Sequence, residues 1–166
     1  MRILPQDRDL RLIVSCDGAA RGNPGPAGIG VHISDADGRI VAEIAKGIGV
    51  ATNNVAEYMA AIEGLTRARE LGATDVLLRS DSRLMIEQIA GRFKVKHPTL
   101  QRLHAEVRAL AVTFEQIAFE HVPREFNKEA DRLANAGVDE WLAGEGASWK
   151  RPPPAPSLWE PEGERP

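Results

Sequence analysis

The chain has 166 residues, 43% of them hydrophobic, which suits one ordinary core and is too short for two full domains. Its single cysteine, Cys16, excludes an internal disulfide and a thiolate metal centre and points to a reducing compartment, hence the cytoplasm. A formal charge of −3 argues against nucleic-acid binding through a broad basic surface, and no apolar run is long enough for a membrane span or a signal peptide.

In chain order, residues 1–9 read as a lead-in and Leu10–Cys16 (LRLIVSC), rich in branched aliphatics and stopped by Asp17-Gly18, as a buried first strand. The loop AARGNPGP leads to strands over Ala27–Ser34 and Ile40–Gly49, joined by the hairpin signal Asp35-Ala36-Asp37-Gly38. From Asn53 to Leu71 the spacing becomes helical, with Val55, Met59, Ile62 and Leu65 as the apolar stripe and Gly72 as the stop. Asp75–Ser80 is a fourth strand, Ser82–Ala90 a second helix, and Pro98–Val112 a third, with Leu100, Leu103, Val107 and Leu110 inward. Gln116–Val122 alternates as a fifth strand and Asn127–Leu142 forms the last helix. Residues 10–142 thus form the folded domain, and 143–166 is a tail rich in proline, expected to be extended or disordered, that carries Trp149 and Trp159. A three-stranded meander followed by alternating helices and strands predicts an α/β fold with a mixed, five-stranded sheet flanked by helices.

Four acidic residues sit at element ends. Asp17 is expected to end the first strand, Glu57 lies early in the first helix, Asp81 follows the fourth strand, and Asp131 lies early in the last helix. If the first and fourth strands are neighbours, Asp17 and Asp81 meet at a topological switch point of the sheet. Carboxylates gathered there repel and take up protons, and a divalent cation is the simplest stabiliser of the ionised cluster. An oxygen-only donor set selects a hard ion such as Mg²⁺. Taken singly, each acid is as well explained as a helix cap, a turn former or a solvated group. The argument rests on the set.

The ordered series CDGAARGNPGPAG, TNNVAEY, RSDS and HVPREFNKEADRLAN resembles ribonuclease H of type 1, in its compact branch, over roughly Leu10 to Leu142. That resemblance implies the ribonuclease H-like fold, with three antiparallel strands followed by two parallel ones. It also implies hydrolysis of the RNA strand of an RNA–DNA hybrid to 3′-hydroxyl and 5′-phosphate ends. Asp17, Glu57, Asp81 and Asp131 fall on the family's catalytic and metal-binding carboxylates, which hold two Mg²⁺ ions, with Mn²⁺ as a substitute, and Asp17 bridges both. Asn23, Asn53 and Asn54 fall on positions that read 2′-hydroxyls and base edges, and Thr52 on one that holds a DNA-strand phosphate. Turn chemistry accounts equally well for Asn23, and helix capping for Thr52, Asn53 or Asn54.

Departures from the longer enzymes also carry expectations. Only GRFKVKHPT separates Ala90 from Leu100, so the basic handle that grips the DNA strand is absent, with Arg92, Lys94 and Lys96 as a reduced substitute and weaker hybrid binding as the consequence. In the loop before Asp131 the resemblance favours Arg124 as an auxiliary catalytic residue, with His121 as the competing choice. An always-charged guanidinium can stabilise a phosphate or a leaving group but cannot shuttle protons. Cys16 reads as a small buried strand residue, and Trp141 as core or a lid over it. Two other readings stand beside the nuclease: a non-catalytic nucleic-acid-binding module on the same fold, disfavoured by the presence of all four acids, and a different nuclease of the superfamily, disfavoured by the asparagines. Duplex RNA stays open as a further substrate, no membrane partner is expected, and a monomer is the default.

Overall fold

A computed structural model describes residues 9–151; most of the lead-in, and the tail beyond 151 with Trp159, lie outside the described residues. Five strands form one sheet: β1 Arg11–Ala20, β2 Gly25–Asp35, β3 Ile40–Ala51, β4 Asp75–Ser80 and β5 Gln116–His121, in the order β3-β2-β1-β4-β5. The pairs β1/β2 and β2/β3 are antiparallel, and β1/β4 and β4/β5 are parallel. The helices are α1 Asn53–Glu70, α2 Arg83–Ile89, α3 Pro98–Ala111 and α4 Lys128–Ala143, with a 3-10 turn over Arg124–Phe126. The mixed sheet flanked by helices is the arrangement expected from the sequence.

Alternation sets the two faces of the sheet. Leu12, Val14 and Cys16 of β1, with Val76 and Leu78 of β4, point to the core shared with Tyr58, Leu65, Met85, Leu103 and Val107. The opposite face of β2 carries α4, and the approach is so close that a Cβ built on Gly30 would collide with the α4 backbone at Ala130 and Ala134. The β2–β3 hairpin closes where expected: Gly38 takes φ +85° and its N–H donates to the Asp35 carbonyl at 3.1 Å, while Asp35 Oδ1 accepts from Asp37 and Arg39 N–H at 2.9 Å each.

One expectation needs correction. β1 does not end at Asp17; it continues to Ala20, because β2 remains its partner as far as Ala20↔Ala27 while β4 leaves after Ser15↔Arg79. Asp17 therefore lies on a strand that still has a neighbour on one side only. Of the stripe expected on α1, Leu65 is fully buried while Val55, Met59 and Ile62 pack half-buried against the core; the other buried positions are Ala56, Glu57, Tyr58, Ala60, Ala61, Gly64 and Ala68. Small side chains let the helix axis approach the sheet, and the larger aliphatics flank that contact. Trp141 is half-buried in the last turns of α4, against Gly47 of β3. Among the described residues no helix is long and apolar enough to cross a membrane.

The α4 contact gives a direct test. Gly30→Ala must push the helix off the sheet, and overpacking of this kind costs about 1–3 kcal/mol. Thermal unfolding should show a melting temperature lower by about 2–4 °C for each kcal/mol lost.

Candidate active site

Each acidic side chain is placed by a local device. Gly18 follows Asp17 on β1, and a Cβ there would fall onto the backbone of Ala56 and Glu57; only glycine lets the start of α1 lie against the strand. That contact brings the Gly18 N–H onto Glu57 Oε1, which accepts its hydrogen bond. α1 itself is started by Thr52, whose Oγ1 accepts from Val55 N–H at 3.2 Å, so the cap is the threonine and not Asn53 or Asn54. After β4, Ser80 Oγ accepts from Ser82 N–H at 3.0 Å and Ser82 Oγ caps α2 by accepting from Met85 N–H at 3.2 Å. Asp81 is held between those two serines. Asp131 stands in the first turn of α4, where the helix dipole favours a negative charge.

The sheet brings the four together. Asp17, Glu57 and Asp81 each offer a carboxylate oxygen, all within 4.8 Å of one another, and Asp131 lines the same cleft of about 490 Å³. Asp17 is 5% exposed and Glu57 8%, whereas Asp81 and Asp131 are half-buried and open toward solvent. Burial, then the neighbouring Glu57 and Asp81 carboxylates, push Asp17 up to about 10; burial pushes Glu57 up to about 7, against the opposing pull of the Gly18 N–H. A proton is thus retained between Asp17 and Glu57 where a cation would otherwise be needed. The donor set contains only carboxylate oxygens, and its charge and spacing fit a hard divalent ion. Burial, followed by Glu57, Asp17 and Asp81, also raises the Cys16 thiol well above its ordinary value, so this residue is inert packing, as its place in the strand implied.

Of the polar residues expected on substrate, Asn53 and Asn54 line the acidic cleft, whereas Asn23 and Thr52 line a separate cavity that shares Asn54 with it. Asn23 Oδ1 accepts from Asn53 N–H at 3.0 Å and Asn53 Oδ1 accepts from Ala20 N–H at 3.1 Å. Both amide oxygens thus brace the loop with one accepted bond each, which leaves their NH₂ groups as donors and a second lone pair on each oxygen. Asn54 is exposed, and it lines the acidic cleft together with Asn53. Arg124 is 81% exposed and its Nη2 stands 3.8 Å from Asp131 Oδ1, so it reaches the cleft. His121, exposed at the end of β5, does not line it. Of the three cations in the reduced handle, Arg92 is bound by Glu87 at 2.6 and 3.0 Å, which leaves Lys94 and Lys96 without acidic partners among the described residues.

Sequence reading overlooked Arg21, Ser82 and Asn135, which also line the cleft. It also overlooked Asn127, whose Nδ2 donates to the Cys16 carbonyl at 3.0 Å. An asparagine four residues before Asp131, at the boundary of a helix, was the available signal; its long-range partner was not readable from the chain.

The chain is similar to several known proteins. The family described as Reverse transcriptase-like matches residues 15–137. A bifunctional protein of Mycobacterium tuberculosis is 49% identical over 131 residues, which cover 78% of this chain and 36% of that protein; the chain spans about a third of the length of its mycobacterial relatives. The N-terminal RNase H domain of that protein, solved as a fusion with maltose-binding protein, superposes with a TM-score of 0.76 over 78% of this chain and 99% of the other. Ribonuclease HI of Halobacterium salinarum is 43% identical over 83% of this chain and 69% of that protein. A crystal structure of RNase H1 from the same archaeon, 44% identical, gives a TM-score of 0.77 over 78% and 98% of the two chains. An RNase H1 isolated from compost, crystallised with an RNA/DNA hybrid, is 42% identical, with a TM-score of 0.75 over 79% and 99%.

The raised carboxyls make stability depend on pH. In the unfolded chain Asp17 and Glu57 release their protons near their ordinary values of 3.8 and 4.5, and in the fold only near about 10 and about 7. The folded state binds more protons across those windows, so the metal-free protein is most stabilised below about pH 4 and loses that contribution as pH rises through 7 and on toward 10. Thermal unfolding of metal-free protein at pH 6 and pH 8 should show the decline. Asp17→Asn should flatten it and raise the melting temperature at pH 8, by about 2–4 °C for each kcal/mol recovered. Added Mg²⁺ should stabilise the natural protein, more at pH 8 than at pH 6, and leave Asp17→Asn unmoved.

Proposed function

Since this chain belongs to the ribonuclease H family, we propose that it hydrolyses the RNA strand of RNA–DNA hybrids, leaving 3′-hydroxyl and 5′-phosphate ends. The observation that carries this reading is the convergence of Asp17, Glu57 and Asp81 within 4.8 Å, with Asp131 in the same cleft and Asn53 and Asn54 on its wall. Support also comes from the compost RNase H1, 42% identical, whose crystal structure contains such a hybrid.

The four carboxylates would hold two Mg²⁺ ions, or Mn²⁺ in their place. Bound there, two ions supply the charge that stabilises the attacking and leaving oxygens of an in-line displacement at phosphorus. The chain's own residues do the rest. Asp17, buried beside Glu57 and Asp81, would hold the ions together with them and would orient the attacking water. The amides of Asn23, Asn53 and Asn54 donate to and accept from 2′-hydroxyls and base edges, which is how RNA is told from DNA at a given position. The Thr52 hydroxyl caps α1 through its oxygen and keeps its proton to donate to a phosphate of the DNA strand. Arg124, on its own short turn beside Asp131, stabilises the leaving group or the departing phosphate as a fixed charge. Lys94 and Lys96 give the DNA strand a weak electrostatic hold. We place this activity in residues 10–142, acting as a monomer in the cytoplasm, the compartment compatible with a buried, unpaired Cys16.

Hybrid labelled on either strand, incubated with Mg²⁺, with Mn²⁺ and with a chelator, tests the reading. RNA-strand cutting that requires the metal and falls to background in Asp17→Asn and Asp81→Asn is the expected result. A hybrid that is bound but left intact under every metal condition would make the chain a binding module, and preferred cutting of duplex DNA would make it a different nuclease. Duplex RNA in the same panel decides whether it too is a substrate.

Arg124→Ala should lower kcat by about ten- to a hundredfold, the equivalent of a lost hydrogen bond to a charged group of about 1.5–3 kcal/mol. His121→Ala should stay near the natural rate. The opposite ranking in a side-by-side turnover assay would move the role to His121.

A further inference from the structure

We propose that Asn127 is a positioning residue for the carboxylate cluster, one that fixes the start of α4, and with it Asp131, to the backbone of β1 at Asp17. The inference rests on the carboxylates being the divalent-cation site proposed above.

Asn127 is 2% exposed and stands at the N-cap position of α4, yet its side chain caps nothing. An asparagine there ordinarily turns its oxygen onto the first helical amides. Instead Nδ2 reaches across to the Cys16 carbonyl at 3.0 Å, a bond between residues 111 apart in the chain. The parallel ladder of β1 with β4 ends one residue earlier, at Ser15↔Arg79. The Asn127 backbone carbonyl meanwhile accepts from Asp131 N–H at 3.1 Å, and its own N–H donates to the Arg124 carbonyl at 3.0 Å. One residue thus joins the main chain just before Asp17, the helical turn that carries Asp131, and the short turn that carries Arg124.

The arrangement is not optimised for stability. Asn127 Oδ1 is the one buried side-chain polar atom without a hydrogen-bond partner among the described residues. A cap is forgone and an acceptor is left unsatisfied so that the donor can reach β1. Local rules broken without a gain in stability mark functional constraint. Residues that orient metal-binding side chains from behind are where such constraint is expected.

The test compares Asn127→Ala and Asn127→Leu with Thr74→Val. Leucine nearly matches asparagine in shape, and replacing a half-satisfied amide by an apolar group can leave stability unchanged or raised. Thr74 accepts from Leu10 N–H at 2.9 Å at the far end of the sheet and serves as the purely structural comparison. Four quantities are measured: Mn²⁺ affinity of the substrate-free protein by titration calorimetry, the melting temperature, and kcat and KM on a hybrid. Asn127→Leu is expected to keep its melting temperature, to bind Mn²⁺ about 10–100-fold more weakly, and to lose kcat by a similar factor at fixed metal, with KM for the hybrid unchanged. Thr74→Val should lower the melting temperature alone. Natural Mn²⁺ affinity in a folded Asn127→Leu would overturn the proposal. So would losses in both Asn127 variants that merely track their melting temperatures along the line set by Thr74→Val. If the natural protein binds Mn²⁺ and the Asn127 variants weaken that binding while no hybrid is cut, the positioning role stands and the nuclease reading falls.

Discussion

Mutual repulsion among carboxylates is the constraint on which this structure turns. Asp17, Glu57 and Asp81 bring oxygens within 4.8 Å of one another at a place where two of the three are nearly shut off from water. A fold selected for stability alone would disperse them, because like charges in a low-dielectric setting cannot all ionise. Here the backbone enforces the meeting. Gly18 removes the side chain that would keep α1 off β1, two serines clasp Asp81 at the end of β4, and Asn127 ties α4 to the strand from behind. Burial and mutual repulsion hold the Asp17 and Glu57 carboxyls protonated to higher pH than usual, which is how the fold tolerates the cluster.

Where the cluster sits follows from sheet topology. β1 keeps β2 as a partner to Ala20 but parts from β4 after Ser15, and the opening between β1 and the end of β4 is the crevice in which open α/β sheets place their ligands. The loop beside the crevice is braced in turn: Asn23 Oδ1 accepts from Asn53 N–H and Asn53 Oδ1 from Ala20 N–H, so the Asn53 side chain on the cleft wall is held in one orientation.

Much of this was legible in the sequence. Strand β4 was read to the residue, and α1 and α3 to within one residue at their ends, because aliphatic periodicity, Gly72 and Pro98 mark them plainly. The four acids were legible as members of ordered motifs. What escaped was governed by tertiary contact. Residues 17–20 (DGAA) carry no strand preference and are extended only because β2 continues beside them. The inward face of α1 is legible only in part, because alanines and Gly64 carry little hydrophobic signal, yet they decide how near the helix can come. Arg92 looked like a free cation until Glu87, five residues away, was seen to bind it. The partner of Asn127, 111 residues upstream, had no local trace at all.

That separation along the chain bears on how the molecule comes into being. Asp17, Glu57 and Asp81 all belong to the first half of the sequence and to elements that pack on one another directly, whereas Asp131 arrives on a helix that follows β5 and must close back onto β1 and β2. Contacts of such high sequence separation form late, since the loop must be closed before any of them is gained. Docking of α4 onto β1 and β2 is therefore the step that brings Asp131 to the other three carboxylates.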